Sequence, residues 1–381
     1  MPNADLMREG GRILTICNAC RYCEGYCAVF PAMERRRSFT AGDLNYLANL
    51  CHNCGECLYA CQYAPPHEFG VNVPRTLAQI RLESYKGYSW PRGLSKGFER
   101  HSVLTSLAVA GAFTAFILAV SLAFGRDSLN ARQNGDFYQV VPHGVMVALF
   151  GAVFGLATLA LGIGFAHFWR DVNETPAALG QPAALRDALR DVLTLKYLHG
   201  EGADCTYEGV EARSPWRRWF HHATYYGFLL CFASTSVAAV YHLGFGWKAP
   251  YAYSSLPVLL GTAGGIGLLI GPAGLFWLRR TRDPATADPA QTGFDLSFIV
   301  LLLLSSVTGL LLLVFRARAV MAPLLIVHLG VVLALFVTLP YGKFVHGVYR
   351  SAALIKHALE GRRAHDVSVL LRPSGRRARA R

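Results

Sequence analysis

Cys17-Asn18-Ala19-Cys20-Arg21-Tyr22-Cys23-Glu24-Gly25-Tyr26-Cys27 is followed by a second run, Cys51-His52-Asn53-Cys54-Gly55-Glu56-Cys57-Leu58-Tyr59-Ala60-Cys61. Both read C-x2-C-x2-C-x3-C, the spacing with which thiolates hold [4Fe-4S] clusters. Three cysteines at intervals of three wrap one face of a cuboidal cluster, and the fourth of each run points to the other cluster. The spacing therefore assigns Cys17, Cys20, Cys23 and Cys61 to one cluster, and Cys51, Cys54, Cys57 and Cys27 to the other. Paired zinc sites more often join two C-x2-C units across a longer gap. A disulfide framework needs an oxidising compartment, and the residues before Cys17 do not read as a cleavable signal peptide.

Cys27 and Cys61 are followed by Ala28 and Gln62, where the ferredoxin run has proline; proline comes four positions on in both copies, at Pro31 and Pro65. This internal repeat resembles the helical ferredoxin domains of succinate dehydrogenase and heterodisulfide reductase subunits more than the small β-containing ferredoxins. The stretch Ala41-Gly42-Asp43-Leu44-Asn45-Tyr46-Leu47 suits a helix leading into Cys51. So small a unit is expected to have little apolar core of its own, with the crossed ligation stapling its halves. Cys205 and Cys231 lie outside the motifs and read as a loop thiol and a small buried apolar side chain.

The rest of the chain is apolar. Hydrophobic residues make up 53% of the protein and charged residues 16%, yet the net charge is +13; the mean hydropathy is +0.30. A membrane helix needs about 20 mostly apolar residues. Six stretches qualify, at 102–124, 140–168, 220–244, 255–278, 295–315 and 322–345. Arg81, Lys86, Arg92, Lys96 and Arg100 precede the first. Arg170, Arg186, Arg190, Lys196, Arg213, Arg217 and Arg218 fall between the second and third, and Arg279, Arg280 and Arg282 follow the fourth. The opposite loops carry only Arg126, Arg132, Lys248, Arg316 and Arg318. Positive residues favour the cytoplasmic side. Both termini and the cysteine motifs are therefore expected there, at a bacterial inner membrane, where reducing conditions spare the clusters. This distribution accounts for the basic charge without nucleic acid. The tail Arg376-Arg377-Ala378-Arg379-Ala380-Arg381 is expected near anionic lipid or disordered.

The expected fold is all-α. A two-[4Fe-4S] ferredoxin-like domain occupies 1–100, a six-span bundle 101–347 with a loop at 170–219, and a basic tail 348–381. Gly261/Gly265 and Gly267/Gly271 in the fourth span are small-xxx-small pairs that read as helix-packing positions. Leu185, Leu189, Val192 and Leu193 give the loop an amphipathic helix over 183–198, suited to a membrane surface or a docking face.

Histidines recur near the span ends. A b-type haem takes two axial ligands from facing helices, and neutral imidazoles serve. His328 and His346 lie 18 residues apart, so on one helix they would share a face, about 27 Å apart. From His242, His221 falls about 60° off the same face and His222 about 160° away. Two haems are expected between spans three and six. One would use His242 and His328, the other His346 with His221 or His222; His143 and His167 are reserve ligands on span two. Arg217, Arg218 or Arg279 could meet haem propionates or acids of a partner, and Tyr225, Tyr226 or Tyr341 could line a quinone site. Ordinary positive-inside and aromatic-belt roles explain these residues at least as well.

Several membrane stretches carry a resemblance: Trp219-Phe220-His221-His222, Pro257-Val258-Leu259-Leu260-Gly261-Thr262, Leu269-Ile270-Gly271-Pro272-Ala273-Gly274 and Leu339-Pro340-Tyr341-Gly342-Lys343-Phe344-Val345-His346-Gly347. With the paired cysteine motifs, the chain resembles the tricarballylate utilization protein B family, also called citrate utilization protein B (TcuB/CitB). The resemblance implies a membrane partner of an FAD-dependent (TcuA-like) dehydrogenase that oxidises tricarballylate to cis-aconitate. It implies an oxidoreductase subunit, rather than a substrate-converting enzyme by itself, that passes electrons from flavin through iron–sulfur and haem to quinone. The rivals are a haem-free iron–sulfur quinone reductase subunit and a transporter with a regulatory iron–sulfur domain. The latter lacks the expected inverted repeat around a midplane site, and a DNA-binding iron–sulfur regulator would have no use for the apolar spans.

Overall fold

A computed structural model describes residues 3–124, 135–199 and 215–370. Cys205, Arg126, Arg132, Arg213 and the tail arginines from Arg376 lie outside the described residues. The fold is all-α, and no strand occurs among the described residues. The helices in chain order are α1 (Ala4–Cys20), α2 (Val29–Glu34), α3 (Ala41–Leu50), α4 (Glu56–Tyr59), α5 (Val73–Tyr88), α6 (Arg92–Arg100), α7 (Ser102–Phe124) and α8 (His143–Asp171). They continue with α9 (Pro182–Thr194), α10 (Trp216–Phe245), α11 (Leu256–Thr281), α12 (Thr292–Phe315), α13 (Met321–Thr338) and α14 (Val345–Leu370).

Local chemistry sets the ends of the N-terminal helices. Asn3 caps α1 through its side-chain oxygen. Thr40 and Asp43 form a reciprocal capping box on α3, satisfying orphan N–H groups at its start. Arg21 ends α1 in the left-handed region at φ 55° and returns its N–H to the Cys17 carbonyl. The expectation of a meagre core fails. Ile13, Leu14, Phe30, Met33, Leu44, Leu47, Leu50, Leu77 and Ile80 are all essentially inaccessible. The heptad-like spacing along α1, α3 and α5 supplies that core, and burying each side chain of this size contributes about 1.5–3 kcal/mol.

Six helices, α7, α8, α10, α11, α12 and α13, are long and apolar enough to cross a membrane. Their outward faces stay apolar, with Leu104, Phe116, Leu159, Leu243, Ile270 and Val314 exposed. One end of this bundle carries the N-terminal helices. Asp171, closing α8, accepts from Asn45 of α3 at 2.7 Å and from the Tyr88 hydroxyl of α5. Gln291, before α12, donates to the Ala78 carbonyl of α5.

The sixth span stops at Thr338, short of the expected 345. Pro340 lacks the N–H that would continue the ladder and disfavours helix at the residue before it. The chain makes tight turns through Gly342 and restarts at Val345 as α14. As far as Leu370, the stretch taken for a basic tail is therefore a packed helix, with Tyr349, Ala352, Ala353 and Leu359 buried. Its Lys356 reaches Glu174 at 3.0 Å and Glu360 at 3.3 Å, and Glu360 pairs with Arg36 at 2.6 Å. The loop helix is also altered. α9 buries Ala184 and Ala188 and leaves Leu189 57% exposed. Its neighbour is α14, with Arg362 paired to Asp187. Small residues win the buried face because α14 approaches closely.

The glycines of α11 serve helix packing. A Cβ on Gly264 would lie 2.7 Å from the Cys231 nitrogen and 2.8 Å from the Gly227 carbonyl of α10. Gly267 and Gly274 likewise abut Ala223, Gly227 and Phe220. Gly265 faces Leu310 of α12, so the stripe serves two neighbours. Gly264→Leu should force α10 from α11 and lower the thermal midpoint of the detergent-solubilised protein by an overpacking cost of about 1–3 kcal/mol or more. Gly151→Ala, whose Cβ would meet nothing within 4 Å, should leave the midpoint unchanged.

Candidate functional site

The first cysteine run leaves the end of α1, where Cys17 and Cys20 occupy the last turn. The second leaves α3: Cys51 is its C-cap residue, Cys57 lies on the single turn of α4, and Cys61 follows it. Left-handed residues Arg21, Asn53 and Gly55 fold both runs back on themselves. The thiols gather in two sets. Cys17 faces Cys61, Cys23 and Cys20. Cys57 is grouped electrostatically with Cys54, Cys51 and Cys27, and feels Cys23 of the first set more weakly. The fourth cysteine of each run thus sits with the other run.

The first set surrounds a cavity of about 250 Å3, lined also by Tyr22, Phe30, Gln62 and Tyr63. Among the described residues, no three His, Cys, Asp or Glu side chains converge on a single-ion site. Four sulfurs spread around a space suit a cuboidal cluster, whose own iron and sulfide keep its ligands apart. N–H donors already point at sulfur: the Asn53 amide at Cys51 Sγ, 3.3 Å, and Gln62 Nε2 at Cys20 Sγ, 3.8 Å. Burial pushes the Cys17 thiol up to about 12, and neighbouring Cys61, Cys23 and Cys20 add to it. Burial, then Cys61 and Cys20, push Cys23 to about 12. Thiols so disfavoured as free thiolates need cationic partners, which cluster iron supplies. Around the second set, His52 Nδ1 and Tyr85 Oη are buried without a hydrogen-bond partner. The residues therefore fit two clusters, one beside the exposed Tyr22 and one deeper.

Below the second set, His221 of α10 and His346 of α14 meet with ring centroids 6.0 Å apart. A metal–imidazole bond of about 2 Å, doubled and extended to the ring centres, gives about 6 Å for two ligands on one iron. His346 donates its Nδ1–H to the Lys343 carbonyl at 2.5 Å, which leaves Nε2 as the free acceptor. Burial holds this imidazole well below its ordinary value, with Lys343, Arg350 and His221 adding to the effect, so it is neutral and able to ligate. The helix break, rather than one continuous sixth span, brings His346 here. His222 turns away to Tyr226, 5.7 Å between ring centres.

The far ends of the spans are arranged differently from the expected His242–His328 pair. His242 stacks on His143 with centroids 4.0 Å apart, and Tyr138 packs on both rings. His328 contacts Thr308 at 2.9 Å and packs on Gly309. The Thr308 hydroxyl donates to the Leu304 carbonyl, so its oxygen accepts from His328 Nδ1–H, and the Ser305 backbone bonds the same ring. The His328 ring is not set against His242, which stacks on His143 instead. His167 lies near the end of α8, outside both groups. Between the two levels Phe154 of α8 stacks on Phe232 of α10 and meets Phe336 of α13 edge-on.

Other expected contacts are accounted for within the chain. Arg218 bonds the Thr194 carbonyl, and Arg279 bonds Asp295 and Thr292. Tyr226 bonds the Leu193 carbonyl and Tyr341 the Trp90 carbonyl. Tyr225 packs on Tyr226. Cys231 is half-buried against Gly264. Sequence reasoning missed the roles of Arg81 and Arg350, which enclose the loop of the second run, and of His52, buried within it. The signal was present: Arg350 follows His346 by four residues and Arg217 precedes His221 by four, so each shares its histidine's helix face.

Comparison with known proteins gives a family. The model of the citrate utilization protein B family matches residues 98–367, and that of the citrate utilization protein B Fer4-like domain matches residues 10–87. Citrate utilization protein B of Escherichia coli is 49% identical over 362 residues, covering 95% of this chain and 94% of that protein. No solved structure matches. Cys27→Ser should remove about half of the bound iron and acid-labile sulfide and leave the spectrum of one cluster intact; loss of both clusters would contradict separate sets.

Proposed function

This chain belongs to the citrate utilization protein B family, and on that premise we propose that it is the membrane electron carrier of a tricarboxylate-oxidising system. It carries a Fer4-like domain and six helices fit to cross a membrane. Its electron donor would be an FAD-dependent dehydrogenase, TcuA-like by the family resemblance, oxidising tricarballylate or, as the relative's name suggests, serving citrate utilization. Its acceptor would be the quinone pool. Two [4Fe-4S] clusters and b-type haem supply one-electron carriage between two-electron flavin and quinone.

The protein's part is to hold, space and shield these groups. Cys17, Cys20, Cys23 and Cys61 would hold the cluster nearer the surface, where the exposed Tyr22 marks the approach for a partner. Cys51, Cys54, Cys57 and Cys27 would hold the inner one. His221 and His346 are the axial pair that the geometry favours, and their 6.0 Å ring separation carries this reading. A second haem would use His328 together with His242 or His143 after His242 and His143 unstack. His222 is the weaker candidate. The basic residues gather at the cysteine-bearing end of the bundle, which favours a cytoplasmic position for that end at the bacterial inner membrane.

The test is the absorption spectrum of the detergent-purified protein, oxidised and dithionite-reduced, with haem, iron and sulfide counts. The proposal expects b-type haem bands and about eight cluster irons per chain. His346→Ala and His221→Ala should each remove one haem while His222→Ala keeps it. Clusters without haem would assign these histidines to packing and place quinone reduction close to the inner cluster.

A further inference from the structure

The loop of the second cysteine run is enclosed by cations. Arg217 of α10 donates to the carbonyls of His52 at 2.7 Å and Asn53 at 3.0 Å. Arg350 of α14 donates to Cys51 at 2.5 Å, and Arg81 of α5 donates to the same carbonyl at 2.5 Å and to Ala48 at 3.2 Å. Arg282, just past α11, donates to Asn53 at 2.9 Å. Four elements distant in sequence thus converge on six residues of backbone.

Among the described residues, Arg81, Arg217 and Arg350 form no ion pair with a carboxylate of their own; the buried carboxylate nearest the second thiol set, Glu56, faces Cys54 and Cys27. Asp295, the carboxylate facing Arg217, is held by Arg279 and by Lys343 at 2.8 Å. Buried guanidinium groups are costly unless paired with negative charge, and carbonyls offset only part of that cost. The other acidic groups facing them are Cys54 and Cys51 beside Arg217, and the Tyr85 hydroxyl and Cys51 beside Arg350. Four thiolates around a [4Fe-4S] core leave a net negative charge, and reduction by one electron adds another. Among the described residues no such arginine enclosure surrounds the first set, where Arg12 and Arg21 are exposed and bond the Phe69 and Asn18 carbonyls.

We propose that Arg217, Arg350 and Arg81 are positioning residues that stabilise the reduced form of the cluster held by Cys51, Cys54, Cys57 and Cys27, raise its potential above that of the other cluster, and fix its loop over the His221–His346 pair. This rests on the iron–sulfur reading above. The step it favours is transfer of one electron from the outer cluster, which is oxidised, to the inner one, which is reduced; no bond forms or breaks. The geometry makes the coupling direct, because Arg217 and His221 share one helix face and Arg350 and His346 another.

The test is a redox titration of the full-length, cluster-loaded protein followed by electron paramagnetic resonance. Arg217→Gln and Arg350→Gln should each lower the midpoint of one cluster signal and leave the other in place. Arg350→Lys, which keeps the charge, should restore most of the shift. Asp295→Asn, which removes the opposing charge, should raise the same midpoint, and it decides the matter where a Gln variant fails to assemble its cluster. Unmoved midpoints, or equal movement of both, would overturn the proposal. Absence of cluster signals from the unmutated protein would instead sink the iron–sulfur reading itself.

Discussion

At the seam between the cysteine-bearing helices and the membrane helices, buried polar groups must find partners in each other, because neither water nor lipid can supply them. Asp171 ends α8 by accepting from Tyr88 and Asn45. Lys356 is 6% exposed and bonds the Val172 carbonyl at 2.9 Å as well as Glu174. Glu360 joins Lys356 to Arg36, and Arg36 joins Asp43 at 2.5 Å, the residue that also caps α3. One connected chain of charges therefore links α14, the end of α8 and the helix that leads into Cys51. Isolated surface ion pairs contribute little, but removing one member of a buried network leaves a charge unpaired and costs several kcal/mol. Register across the seam is fixed in this way, and the distance between the cysteine sets and the histidines follows from it.

Inside the membrane region a different economy applies. Lipid is as apolar as leucine, so helices associate through close packing of small residues. The glycine face of α11 takes up one face of α10 closely, and a neighbouring flank of α10 carries large rings. Phe232 stacks on Phe154, and Phe228 packs on Phe344. His221 shares that flank of α10 with Phe228 and Phe232, whereas His242 lies five whole turns beyond Thr224, which abuts Gly271 of α11.

Much of this was legible in the chain. The cysteine spacing reads as two crossed ligand sets, and the Fer4-like domain match over residues 10–87 agrees with an iron–sulfur reading of that segment. The six spans were legible because a bilayer imposes length and composition, and five of them begin and end within a few residues of their expected limits. The sixth was misjudged at Pro340, where apolar residues continue past the point at which the backbone cannot. The amphipathic face of α9 was misjudged because leucine spacing reveals an apolar stripe but not which neighbour arrives. Ala184 and Ala188 admit α14, and Leu189 is left outside.

The sequence by itself determined the all-α class and the number of helices fit to span a membrane, since these are dictated by local periodicity or by the thickness of a membrane. It also placed a histidine near each end of several spans. Only the tertiary structure decided which histidines meet. The break after Thr338 sets His346 against His221, and ring contacts between α8 and α10 place His242 against His143 rather than His328. The enclosure of residues 48–53 by arginines from α5, α10, the end of α11 and α14 was likewise settled in space. Long-range hydrogen bonds to backbone carbonyls leave no periodic trace in sequence, because any residue can offer the acceptor.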